Sequence, residues 1–171
     1  LQRSSRFVNV GDLNIHALDW GGDGIPLVLM HGSLRTGRSW NAVARRLHDG
    51  FRVIALDTRG HGDSGASDVG NDSSTRMKDL APITSELDRE PHFIMAPSLG
   101  CAPAELYASQ HPEKMKGMVL IEPVVDVHVF WMRGETSRSA WMEKASEGRR
   151  NGWTSIDELR SRLAQNRMTR A

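Results

Sequence analysis

The segments HFIMA (92–96) and KGMVLIEPVV (116–125) are continuous apolar runs, and a helix-patterned stretch (99–110) lies between them. A strand that is apolar at every position, rather than at alternate ones, has to be covered on both faces. Two such strands joined through a helix belong in a parallel sheet with helices packed above and below it. The link from the first strand into the helix is a tight turn, Ala96-Pro97-Ser98-Leu99-Gly100, in which one serine is flanked by small residues. Ser98 has two readings at this point. It is a helix N-cap whose hydroxyl satisfies a free backbone N–H, or it is a nucleophile held above the sheet.

The rest of the chain repeats the alternation. Two β-like runs, RFVNV (6–10) and NIHALDW (14–20), meet at a turn over Gly11-Asp12 and form an antiparallel hairpin. IPLVLMHG (25–32) and FRVIALD (51–57) read as strands buried on both faces. Between them, Ser39 is expected to cap a helix in which Trp40, Val43, Ala44 and Leu47 recur at helical spacing. Residues 72–89 also read as helix, with Pro82 expected to kink or split it for want of a backbone N–H. The order predicts an α/β fold: a mainly parallel, doubly wound sheet that begins with an antiparallel hairpin. The tail carries no further buried strand. Thr136–Arg149 and Ser155–Arg170 look helical, the second opening with a capping box from Ser155 to Glu158.

Composition narrows the partners. The 171 residues carry a net charge of +1, which gives no sign of a nucleic-acid surface. Nine basic and five acidic residues fall within 133–171, the pattern of a solvated helical face. No apolar run reaches the roughly 18 residues a membrane helix requires, and no signal peptide is visible. One cysteine, Cys101, excludes an internal disulfide and fits a reducing compartment, so a cytoplasmic location is expected. At the start of a helix, Cys101 reads as a small packed residue rather than as a second nucleophile.

Two loops bear on the serine. HGS (31–33) follows the third strand, where a backbone N–H at Ser33 can share a space with the N–H of Leu99. Such a pair of donors would hold the negative charge that develops on a carbonyl oxygen, an oxyanion hole. DTRGHGDSG (57–65) follows the fourth strand, with glycines that permit positive φ. No P-loop pattern follows any strand, and Gly60-His61-Gly62-Asp63-Ser64-Gly65 leads into further loop rather than opening a helix, which argues against the common nucleotide-binding α/β proteins.

Taken in order, His31-Gly32, then Asp57-x-Arg59-Gly60-His61-Gly62-x-Ser64, the serine turn and ASQHPEKMKGMVLIEP (108–123) resemble the α/β-hydrolase superfamily over residues 6–125. The resemblance implies a core over 1–126, a helical cap or lid segment over 127–171, and a fold that is C-terminally incomplete, stopping before the last two core strands. It also implies roles. Ser98 corresponds to the nucleophile, and the N–H groups of Leu99 and Ser33 to the oxyanion donors. A serine at that position disfavours the dehalogenases and epoxide hydrolases of the superfamily, which use aspartate. It favours acyl chemistry on a small-molecule ester, thioester or lactone through an acyl-enzyme. Ala96 and Pro97 depart from the glycine and histidine usual in the turn.

A serine nucleophile needs a base, normally a histidine oriented by a carboxylate. In the superfamily these residues follow strands that this sequence does not show. Glu122, after the sixth strand, is the candidate acid, with Asp126 a weaker one, and His128 is the one arguable histidine. His31 and His61 read as loop residues, His16 as part of an early strand, and His48, His92 and His111 as element ends. Asp57 and Asp63 read as holding the glycine-rich loop. The chain is therefore expected to be a serine hydrolase that, as given, turns over esters slowly or not at all. A non-catalytic ligand- or partner-binding protein of the same fold is the alternative. No metal, cofactor, nucleic acid or membrane is expected, and the sixth strand is expected to offer an edge for self-association.

Overall fold

The computed structural model describes residues 3–68, 70–86 and 91–123. The chain divides into two units, Leu1–Val124 and Val125–Ala171. Asp126, His128 and the two helices expected in the tail lie outside the described residues.

Strands β1 (Ser4–Val10) and β2 (Leu13–Asp19) form the expected hairpin, with Val10 opposite Leu13 and Gly11 at φ +61° in the two-residue turn. β2 then pairs antiparallel with β4 (Phe51–Leu56), while β3 (Ile25–Leu29) pairs parallel with both β4 and β5 (His92–Pro97). β6 (Met115–Ile121) adds parallel to β5, giving a sheet of order β1-β2-β4-β3-β5-β6. This is the mixed, mainly parallel sheet expected from the pattern of apolar runs.

Helices cover both faces. On one, Met77, Leu80 and Ile83 of α2 (Ser73–Ser85) and Ala104 and Tyr107 of α3 (Cys101–Gln110) close over Ile15, Val28, Ile54 and Ile94. On the other, Trp40 and Ala44, the latter in α1 (Asn41–Leu47), close over Leu18, Leu27, Leu29 and Val53. The buried strands supply residues to both clusters. That double burial is why their sequences are apolar without alternation.

Two local expectations fail, each for a tertiary reason. Ser39 does not cap α1. The chain begins to turn earlier, in a 3₁₀ helix over Gly37–Trp40 whose N-cap, Thr36, makes no side-chain capping bond. The Gly37 N–H donates instead to Asp57 Oδ1 at 2.6 Å, so a bond to a distant loop sets where the helix starts. Pro82 does not split α2, which is one helix of 13 residues. Its apolar residues on either side of the proline are seated in the core, and Thr84 ties its last turn with Oγ1 bonds to Leu80 O (2.9 Å) and Ala81 O (3.1 Å). The same hydroxyl meets Tyr107 of α3 at 2.8 Å.

The strand order places a switch point between β3 and β5. From β3 the chain turns to β4 on one side, and from β4 it returns across to β5 on the other. Loops leaving two such strands diverge to opposite faces and leave a crevice at their carboxyl ends, where α/β proteins bind ligands. The His31-Gly32 loop and the Ser98 turn are the two walls of that crevice.

At the other side of β5, β6 pairs with no further strand among the described residues. Val119 and Ile121 on it are 46% and 40% exposed. An apolar, unpaired edge is a template for another chain. The isolated chain is expected to associate, so light scattering over a concentration series should show mass rising with concentration. A constant monomer mass would overturn this.

Candidate functional site

Ser98 sits where β5 ends and a 3₁₀ turn over Ser98–Gly100 opens α3. Its φ is +49°, in the left-handed region that L-residues other than glycine rarely adopt. Its hydroxyl does not cap the turn: the N-cap is Pro97, and neither the turn nor α3 has a side-chain capping bond. The helix-cap reading of Ser98 therefore fails, and what remains is a strained serine at a strand-to-helix turn with a hydroxyl that closes no helix end.

Gly100 is required by contact. A Cβ on Gly100 would lie 2.8 Å from His31 O, so any side chain there would push α3 off the β3 loop. Ala96 is fully buried. Cys101 is buried too; its thiol donates to Ala96 O at 3.1 Å, and burial pushes its pKa up, so it is a packed residue as expected. Pro97 removes an N–H but leaves that of Leu99 in place.

Gly32 faces the Ser98 turn. A Cβ there would lie 3.4 Å from both Pro97 O and Ser98 Cβ, so the Gly32 backbone passes within one side-chain atom's reach of the turn across the crevice. Ser33 follows, and among the described residues its N–H makes no backbone hydrogen bond. Leu34 turns the loop away with φ +57°. The neighbouring imidazole is already committed. His31 Nδ1–H donates to Gly32 O at 2.8 Å, and its Nε2 accepts the Thr58 N–H at 3.0 Å. Burial lowers its pKa, and His61 beside it, ring centroids 4.9 Å apart, acts in the same direction. His31 is thus a neutral strut between two loops, without a free nitrogen to serve Ser98.

The loop after β4 is organised by Asp57, which is wholly buried. Its carboxylate accepts N–H bonds from Gly37 (2.6 Å) and Asp63 (3.0 Å) and lies 2.8 Å from His16 Nδ1. Burial alone would raise its pKa, but those bonds outweigh burial and hold it below the ordinary value. Gly62, at φ +55°, has to be glycine, because a Cβ there would overlap the Asp57 carboxylate. Arg59 then locks the loop to α2 through a two-pronged pair with Asp79, Nε–Oδ2 2.6 Å and NH2–Oδ1 2.5 Å.

Glu122 follows β6. Pro97 pairs with Ile121, so Ser98 and Glu122 are the next residues along neighbouring strands, which run about 4.8 Å apart. Glu122 also has φ +49° and is exposed. Ser98, Leu99, Gly32-Ser33 and Glu122 thus gather at one end of the sheet. No hydrogen bond joins the Ser98 hydroxyl to a histidine among the described residues.

One arrangement has no sequence forecast: His16 of β2 meets Asp57 from 41 residues away. Nothing local signals it, since His16 sits in an ordinary strand pattern. His16, Asp57 and Asp63 are also the described residues whose donor atoms, all within 4.8 Å, are close enough to share a cation. Their atoms are engaged otherwise, with Asp63 paired to Arg38 at 2.8 Å.

A family model for the alpha/beta hydrolase fold matches residues 25–157. A non-heme chloroperoxidase of Streptomyces lividans is 35% identical over 119 residues, covering 68% of this chain and 43% of its own. A haloalkane dehalogenase of Agrobacterium fabrum is 27% identical over 113 residues, covering 66% of this chain and 37% of its own. Among solved structures, a thioesterase domain from the curacin biosynthetic pathway superposes with a TM-score of 0.68 at 28% identity, covering 81% of this chain and 54% of that one. The chain spans less than half the length of these two curated relatives.

Two outcomes follow from the geometry. Gly100→Val should lower stability by about 1–3 kcal/mol, because backbone rather than a flexible side chain stands in the way. Ser98→Ala leaves that contact intact, so the two variants should differ in thermal midpoint; equal midpoints would contradict the close packing. For Asp57, the folded pKa lies below the ordinary 3.8, so its stabilisation is complete above that value and is lost as pH falls through the folded one. Asp57→Asn should cost about 1–3 kcal/mol at neutral pH and flatten the fall in melting temperature below about pH 4.

Proposed function

The chain belongs to the α/β-hydrolase fold family, and on that premise we propose that Ser98 is the nucleophile of a hydrolase acting on an ester-like small molecule. The single observation that carries this reading is the strained serine at the switch-point crevice, φ +49° and facing the Gly32 backbone. Strain of this kind costs about 1–3 kcal/mol and persists where the surrounding structure enforces it.

In the proposed reaction the Ser98 hydroxyl adds to the acyl carbon of a carboxylic ester, thioester or lactone. The N–H groups of Leu99 and Ser33 take the charge on the carbonyl oxygen. The leaving group departs, an acyl-enzyme remains, and water releases the acid. Glu122 is the proposed carboxylate that orients the base. An aspartate nucleophile, as dehalogenase chemistry would use, has no counterpart at position 98. Among the solved structures of this fold is the thioesterase domain described above, which supports acyl chemistry. No helix among the described residues is long and apolar enough to cross a membrane. With a single buried thiol, a reducing, cytoplasmic setting is the reading we adopt.

The base decides how fast the acyl-enzyme turns over. His31 is closed to that role, and His128 lies outside the described residues. Oxyanion donors and binding alone leave roughly 10³–10⁴-fold acceleration over water when a triad member is lost. A fluorophosphonate should give an adduct on the Ser98 peptide that is absent from Ser98→Ala. A short p-nitrophenyl ester should acylate the same peptide and release slowly, little changed by His128→Ala. A Ser98 peptide that stays unmodified under both reagents, with tight binding of a ligand instead, would establish the non-catalytic alternative.

A further inference from the structure

A second serine of this chain is wired to an imidazole and a carboxylate, on the opposite flank of the sheet from β6. Ser5 Oγ lies 3.0 Å from His16 Nε2, and His16 Nδ1 lies 2.8 Å from Asp57 Oδ2. The hairpin register makes this a consequence of the fold. Phe7 is opposite His16 and Ser5 is opposite Leu18, so Ser5 is the diagonal neighbour of His16 on the same face. We propose that Ser5 is a second nucleophilic hydroxyl, an acceptor for activated acyl or phosphonyl groups that is modified once and does not turn over. It is independent of the reading of Ser98.

The proton positions follow from the partners. Asp57 already collects two backbone N–H bonds as an ionised acceptor, so the hydrogen of His16 lies on Nδ1 and points at Oδ2. Nε2 then carries the lone pair, and the Ser5 hydroxyl donates to it. That is the relation of nucleophile, base and orienting carboxylate that makes a serine reactive. Access is uneven in a useful way. Ser5 is exposed on the edge strand β1, whereas His16 is 1% and Asp57 0% exposed. Phe7, 58% exposed with its ring 5.0 Å from that of His16, offers an apolar surface beside Ser5 for an acyl chain.

With an activated ester, the Ser5 Oγ–acyl carbon bond forms and the ester C–O bond breaks, releasing the phenolate. With a fluorophosphonate, Oγ–P forms and P–F breaks, releasing fluoride. In both, the hydroxyl proton passes to His16 Nε2, and the imidazolium so made is balanced by the Asp57 carboxylate. Hydrolysis of the adduct would require a water at Nε2, and the burial of His16 denies one a place. The product is therefore a persistent acyl- or phosphonyl-serine.

The test uses the Ser98→Ala chain, treated with a fluorophosphonate or p-nitrophenyl acetate and mapped by peptide mass spectrometry. Ser4 is the internal control. It is an exposed serine on the same strand, pointing to the other face, and its hydroxyl reaches only Asp19 O at 3.5 Å. Ser5 should be modified about 10²-fold faster than Ser4, reach one equivalent, and keep the group for hours. The preference should vanish in urea and in His16→Gln. Since His16→Gln alters a buried position, the Ser5-to-Ser4 ratio in the chain with His16 intact stands as the deciding measurement. Equal modification of Ser4 and Ser5, no adduct at Ser5, or a ratio unchanged by urea would overturn the proposal.

Discussion

The carboxylate of Asp57 is the fixed point of this fold. It is buried, and among the described residues no arginine or lysine pairs with it, a costly state unless hydrogen bonds replace the lost water. Three donors do so, and each comes from a different part of the chain: Gly37 before α1, Asp63 in the glycine-rich loop, and His16 in β2. One group thus fixes where α1 begins, how the loop after β4 turns, and how the hairpin sits against the parallel strands. Desolvation makes the requirement strict, because each donor removed leaves charge unanswered in a dry interior.

The fold was legible because its strands are buried on both faces. Runs such as IPLVL and FRVIAL leave little choice of partner, and the hairpin turn at Gly11 announced itself. Errors arose where a local signal competed with a distant one. Ser39 has the chemistry of a cap, but the Gly37–Asp57 bond starts the turn three residues after Leu34, ahead of it. Pro82 has the chemistry of a break, yet Leu80 and Ile83 on either side are held in the core. Propensity gave way to packing in both places.

The candidate site was legible in a different sense. The small residues at Ala96 and Gly100 and the His31-Gly32 pair mark a close approach of backbones, and at Gly100 the 2.8 Å that a Cβ would leave to His31 O explains why no larger residue fits. What a linear reading misses is pairing at long range. His16 looks like any strand residue until the hairpin folds it over the β4 loop. A base for the proposed nucleophile Ser98 is a gap of the same kind, since an imidazole is brought to a serine turn by topology and not by sequence spacing.

The left-handed φ of Ser98 sets the fold and the hydroxyl at odds. Glycine accepts that dihedral freely, so the substitution that relaxes the turn most also removes the hydroxyl. A glycine at position 98 would make a sturdier turn at the expense of whatever the hydroxyl does. On the role proposed for Ser98, its dihedral is conformational debt carried for the sake of chemistry. Glu122, in the same backbone state at the end of the neighbouring strand, holds a second strained dihedral.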